Sequence, residues 1–273
     1  MDKIEITEKE LQKLKIIGQG TEGTIYKYNK NELLKIYYSY YDYMQVDIKE
    51  PIIDEDGVNI TPFKNISNKK VERNIIQYYD KENVRLSRWD AITKAIETQK
   101  DIKLTKLPQK PIYVDGKFKG CSLYYHRHAL NIYSVMNIPS YNIRLKIVKR
   151  IIEKVEELAK HNIYHIDLCQ HPTWECKNTN ILLTPFLEPE IIDIDGHSAI
   201  YSDIFNEKFQ KMTEFSLNVL VLELLSQEYI SDLLNNPEDE YLLYETLVNK
   251  VPNKLIDNFL NDNLTLKRLK KML

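Results

Sequence analysis

Three of the seven glycines in this 273-residue chain fall within six residues, in the stretch Gly18-Gln19-Gly20-Thr21-Glu22-Gly23. At so low a glycine content the spacing G-x-G-x-x-G would arise by accident with a probability of roughly 0.005, so composition does not explain it. An apolar run from Leu14 precedes the glycines and an alternating run to Tyr28 follows them, which reads as strand, loop, strand. Glycines lack Cβ, so backbone N–H groups can approach phosphate oxygens and φ > 0 is open to them. A glycine-rich hairpin that binds nothing is the plain alternative. A dinucleotide loop requires a helix after its glycines, within a parallel βαβ unit. Here a turn over 29–32 leads to a third strand over 33–38, which carries Lys35 between apolar neighbours. Taken alone, that lysine reads as a solvated edge residue.

Further patterns follow downstream. Residues 85–101 place Leu86, Trp89, Ile92 and Ile96 at helical spacing, which predicts the first long helix and puts Glu97 on it. Pro111 to Tyr125 holds two apolar runs around Asp115-Gly116, a type I′ hairpin signal. From Asn142 to Asn162, apolar residues at Ile143, Ile147, Ile151, Val155 and Leu158 predict an amphipathic helix. Just past its end come Tyr164-His165-Ile166-Asp167-Leu168, then Asn178-Thr179-Asn180-Ile181-Leu182-Leu183. A short apolar strand then ends in carboxylates, Glu190-Ile191-Ile192-Asp193-Ile194-Asp195-Gly196-His197, and Thr213 to Ser226 reads as a buried helix.

From residue 14 to about 226, the order of these segments resembles the protein kinase-like superfamily: G-x-G-x-x-G-x-V, a strand lysine, a helix glutamate, H-R-D-L, N-I-L-L and D-F-G. The resemblance implies an α+β, bilobal protein kinase-like fold. Its N-lobe would span 1–125, an antiparallel sheet plus one main helix, with an insertion at about 39–85. A mainly helical C-lobe would span 126–273, with a catalytic-loop insertion at about 169–177. It also implies ATP and Mg²⁺ as cofactors. Gly18, Gln19, Gly20 and Gly23 would cover the phosphates, and Lys35 would pair with them, held by Glu97, with Glu82 and Glu72 as alternatives. Leu123 would line the back of the nucleotide pocket, and Tyr124, Tyr125 and His126 would form the hinge that meets adenine. Asp167 takes the position of the base that orients the attacking hydroxyl. Asn180 and Asp193 take the Mg²⁺-ligand positions, with Asp195 as the second choice for the latter.

The chain also departs from that pattern. The step from Asp167 to Asn180 is thirteen residues where the family has five. The extra residues include Cys169, His171, Trp174 and Cys176, which read as a packed loop or, less simply, as a zinc site with His161 or His165. Ile166 replaces the arginine that pairs with an activation-segment phosphate, so that switch is not expected. No A-P-E occurs, and about twenty residues separate Asp193 from the next apolar helix. Thr213 or Glu214 stands where that helix usually begins with aspartate. The expected activity is that of an atypical Ser/Thr protein kinase acting on a protein substrate. Its rivals are an aminoglycoside- or choline-type small-molecule phosphotransferase and a pseudokinase interaction module. The 39–85 insertion, with a hairpin signal at Asp56-Gly57, reads as a decoration or as a partner dock.

A net charge of −2 and 29% charged residues fit an ordinary soluble protein and argue against disorder or a nucleic-acid partner. The basic run Lys267, Arg268, Lys270 and Lys271 reads as a solvated helix end. No apolar stretch reaches the ~18 residues of a membrane span, and MDKIEITEKE lacks a signal-peptide core, so a cytoplasmic location without membrane contact is expected. Three cysteines, few and odd in number, imply reduced thiols.

Overall fold

Alternating buried and exposed residues in short strands, and long amphipathic helices after them, give the chain a mixed α+β architecture. The computed structural model describes residues 2–20, 23–38, 88–169, 179–195, 199–202, 204–230, 233–234 and 240–273. The 39–85 insertion with its hairpin signal, Glu72 and Glu82 lie outside the described residues, as do His171, Trp174, Cys176, Gly196 and His197. No helix among the described residues is long and apolar enough to cross a membrane. The described residues divide into two units. The first takes those within Met1–Asp101, Leu107–Tyr125 and Asp195–His197; the second takes those within Ile102–Lys106, His126–Ile194 and Ser198–Leu273.

In the first unit β1 (Ile4–Ile6), β2 (Lys15–Gln19), β3 (Gly23–Lys27), β4 (Glu32–Tyr37), β5 (Lys110–Val114) and β6 (Lys117–Tyr124) form one sheet. Its order is β1-β5-β6-β4-β3-β2. The pairs are antiparallel except β1 with β5, where Ile4 lies opposite Ile112 in parallel. The expected antiparallel sheet is therefore mixed, and the cause is local. Ile4 and Ile6 need burial, but Thr7 caps the short helix α1 (Glu8–Leu11) and carries the chain off the sheet before a hairpin can form. Thr7 Oγ1 accepts from Glu10 N at 3.2 Å while Thr7 N donates to Glu10 Oε2 at 2.9 Å, a reciprocal cap. At the β5–β6 turn, Asp115 and Gly116 have φ of 47° and 76°, as a type I′ turn requires.

The period of two splits the sheet into two faces. Ile4, Ile6, Leu11, Leu34, Ile112 and Val114 cluster on one, with Leu14, Tyr26 and Ile36 against them. On the other, Tyr37, Ile92 and Cys121 cluster with Ile96, Phe118 and Leu123, so helix α2 (Arg88–Thr98) covers that face. A bulge between Ile112 and Tyr113 shifts the β5–β6 register, which lets Phe118 join the face of Cys121 and Leu123.

The second unit is built on α3 (Tyr141–Lys160) and α4 (Glu207–Ser226), with α5 (Glu240–Leu247), α6 (Asn253–Leu260) and α7 (Leu266–Met272) beyond them. Small sheets fill in between: β7 (Leu130–Asn131), β9 (Ile181–Leu183) and β10 (Pro189–Ile191) form one, and β8 (Ile163–His165) pairs with β11 (Ala199–Tyr201). From Ser216 to Ser226 every residue of α4 is buried, which marks it as the central helix of this unit. On α3 the predicted stripe holds at Ile147, Ile151, Val155 and Leu158, but Ile143 is exposed and Arg144 is buried instead. The Arg144 guanidinium donates to Ile138 O, Pro139 O and Leu225 O, the last at the C-terminal end of α4. Three carbonyl partners make burial of that cation tolerable. In α7, Lys270 pairs with Glu156 at 2.5 Å.

Candidate functional site

The predicted site residues fall into two groups, each within its own unit. In the first, β2 and β3 form the glycine hairpin, with Gly18 opposite Ile25 and Gln19 opposite Thr24. Gly20 N donates to Gly23 O at 3.0 Å. The three glycines differ in what demands them. A Cβ on Gly23 would stand 2.3 Å from Ile36 O, so the sheet itself requires that glycine. A Cβ on Gly18 would meet only Ile25 Cδ1 at 3.9 Å, and one on Gly20 would meet nothing within 4 Å. Among the described residues neither packing nor a positive φ requires Gly20, and its open backbone leaves room for close approach of a phosphate. Those residues therefore fit a nucleotide's phosphates.

Lys35 lies on β4 between Leu34 and Ile36, on the α2-covered face, and is 7% exposed. Cys121 is directly opposite Lys35 and Leu123 is opposite Leu33, so Leu123 shares that face. The Lys35 ammonium meets Asp195, 160 residues further along, at 3.0 Å from Oδ1 and 2.9 Å from Oδ2. Tyr37 OH donates to Asp195 Oδ2 at 2.7 Å. Asp195, the second choice from sequence, is thus the aspartate on the lysine. Glu97, expected as the lysine's partner, is exposed on α2 and makes no ion pair with Lys35. Tyr125 N donates to Asn31 O at 2.9 Å, and Lys27 lies 5.8 Å from the centre of the Tyr125 ring.

In the second unit, β8 leads out of α3 and ends just before Asp167. Despite the thirteen-residue step, Asn180 returns to it: Asn180 Nδ2 donates to Asp167 O at 2.8 Å and to Asp167 Oδ2 at 3.0 Å. Ile192 N donates to Asn180 O at 2.8 Å, and His165 Nε2 lies 3.0 Å from Ile192 O, which ties the strand before Asp193 to the same cluster. Asp193 has φ of 60°, a left-handed conformation that is uncommon for a non-glycine residue and concentrates at functional sites. Ser216 on α4 accepts from Leu168 N at 2.8 Å and Cys169 N at 3.1 Å, holding the backbone just after Asp167. Ser216 lies one turn beyond Thr213 and Glu214, the residues that stand where that helix usually begins with aspartate. A lone hydroxyl amid the apolar run Phe215 to Leu225 was the available signal.

Burial pushes the Cys169 thiol up to about 12, and His171 and Cys176, the other loop residues of the conceivable zinc site, lie outside the described residues. Among the described residues no three His, Cys, Asp or Glu side chains group as a metal-ligand set. Magnesium needs only one or two protein ligands beside phosphate oxygens, which Asn180 with an aspartate can supply.

His126, at the expected hinge, is pushed from 6.5 to about 4 by burial and by the Lys154 and Lys106 ammonium groups. Lys154 is itself buried, bonded to Leu104 O at 2.5 Å and to Glu190 at 3.1 Å. Because the folded value lies below the unfolded one, protonation favours the unfolded chain. His126 therefore costs nothing at pH 7 and erodes stability as pH falls from 6.5 through about 4, by roughly 2–3 kcal/mol. Urea unfolding of wild type and His126→Gln at pH 7, 5.5 and 4 should show wild type losing stability relative to the variant as the pH falls. A constant gap would contradict this.

Compared with protein-family models and with curated proteins, the chain finds no match among either.

Proposed function

We propose that this chain adopts a bilobal protein kinase-like fold and transfers the γ-phosphoryl group of Mg-ATP to a hydroxyl, that of a protein serine or threonine. The observation that carries this reading is the return of the Asn180 side chain to Asp167 at 3.0 Å across the enlarged loop, since the long spacing was the strongest objection to it. Backbone N–H groups of Gly18, Gln19 and Gly20 would hold the phosphates, and Lys35 would neutralise them. Leu123 and Tyr125 would receive the adenine. Asn180 and Asp193 would hold magnesium, whose charge, when bound, stabilises the negative charge that develops on the transferred phosphoryl. Asp167 would orient the acceptor hydroxyl and take its proton.

A second reading, a small-molecule phosphotransferase, is favoured by one observation. The helix α4 starts at Glu207, so only residues 194–206 follow Asp193 before it, too few for a peptide-binding shelf. Incubation with γ-labelled ATP and Mg²⁺, followed by gel and thin-layer separation, tests both readings. Label on protein in wild type and its loss in Asp193→Asn, which tolerates the left-handed backbone, is the expected result. Label that moves only to added aminoglycoside or choline would favour the second reading. Failure of Mg-ATP to raise the melting temperature would favour an interaction module instead.

A further inference from the structure

Asp195 is fully buried, yet its carboxylate is occupied from two sides. Lys35 Nζ lies 2.9 Å from Oδ2 and 3.0 Å from Oδ1, and the Tyr37 hydroxyl donates to Oδ2 at 2.7 Å. The alternation of β4 puts Tyr37 on the same face as Lys35, two residues on. Its hydroxyl also lies 3.3 Å from Cys121 Sγ, and its ring packs against Phe118 at 6.4 Å, so Tyr37 has little freedom to turn away.

Resting on the phosphotransferase reading, we infer that Asp195, clamped by Tyr37, is a carboxylate that positions Lys35 for the nucleotide's phosphates. In the resemblance a helix glutamate has that task; here Glu97 is exposed and not paired with the lysine. A buried ammonium deprived of its carboxylate is strongly destabilised and leaves for solvent, which takes it away from the phosphates. Strand β4 and Asp195 make this pair, and Glu97 of α2 takes no part in it. Displacement of that helix is then no switch for this lysine through Glu97.

The affinities of ADP and adenosine, measured by calorimetry in EDTA so that metal ligation plays no part, test this. Wild type should prefer ADP. Asp195→Asn should cut the ADP-over-adenosine preference at least tenfold and Tyr37→Phe about threefold, with adenosine affinity unchanged, as expected for lost hydrogen bonds to charged groups. Tyr37→Phe keeps the ring packing and decides alone if Asp195→Asn fails to fold. An undiminished preference in Tyr37→Phe overturns the positioning role. So does tighter ADP binding by Asp195→Asn, which would make Asp195 a competitor of the phosphates, or an equal loss in Glu97→Ala. Wild type that binds neither ligand removes the phosphotransferase reading and the positioning role together. Binding with the preference intact in every variant removes the positioning role alone.

Discussion

Asp167→Asn is expected to lower phosphoryl transfer about a thousandfold while the protein still folds and still binds ATP. A positioned carboxylate that accepts the acceptor's proton contributes on the order of 10²–10⁴ in rate, and the amide cannot take that proton. Folding should survive because the backbone here is held independently of the carboxylate. Asn180 Nδ2 bonds to Asp167 O at 2.8 Å, and the next two N–H groups bond to Ser216 Oγ. The substitution is isosteric, and its amide oxygen can still accept the second Asn180 bond, so the stability change should stay within about 1 kcal/mol. Initial rates of transfer from γ-labelled ATP, read beside urea unfolding, check this. Transfer at the wild-type rate would remove Asp167 from the chemistry.

What the sequence could reveal depended on the length over which a pattern is repeated. The α3 stripe and the strand–turn–strand segments at Gly18–Gly23 and Asp115-Gly116 are local and periodic, and the structure contains them where the periodicity falls. Three-residue strands such as β1, β8 and β11 are too short to carry a period, and β1 further depends on a partner more than a hundred residues away. The first two turns of α4, from Glu207 to Met212, alternate charge with isolated apolar residues, and the start is fixed instead by Asn206 Oδ1 accepting from Phe209 N at 3.1 Å. Arg144 took a core position that hydrophobicity alone assigns to Ile143, because three carbonyls happen to converge there.

The site was legible as a set of residue types and far less so as a set of partners. Counting from an apolar strand favours Asp193 over Asp195, because an extended chain is assumed to continue. In fact β10 stops at Ile191 and Asp193 turns left-handed, so the two aspartates enter different surroundings. Asp195 goes to Lys35 and Tyr37, a meeting across 160 and 158 residues that no local pattern encodes. Tyr37 falls in the strand 33–38 at its junction with the 39–85 insertion, where no motif marks it. Its period-two relation to Lys35 was the signal that it shares the lysine's face.

The largest loss of stability should come from Gly120→Ala, a residue outside every motif. Strand β4 runs between two neighbours that each present a glycine to it. Gly23 of β3 is close to Ile36 O, and Gly120 of β6 is closer still to Lys35 O. A Cβ on Gly120 would stand 1.9 Å from that oxygen, 3.0 Å from the Lys35 carbonyl carbon and 3.2 Å from Ile36 Cα. All three atoms are backbone, so no side chain can move aside. Relief requires β4 and β6 to separate at the pairs that hold Lys35 opposite Cys121 and Ile36 opposite Gly120. Overpacking of one methyl into a responsive core costs about 1–3 kcal/mol; with rigid backbone as the obstacle the expected cost is about 4 kcal/mol or more. The same shift would carry Lys35 away from Asp195, so nucleotide binding should fall along with stability. Gly20→Ala is the matched comparison. Its Cβ meets nothing within 4 Å, so stability should change by less than about 1 kcal/mol while Mg-ATP affinity drops. Urea unfolding of both variants, with and without Mg-ATP, separates the two roles of glycine. Wild-type stability in Gly120→Ala would mean that β6 does not approach β4 this closely.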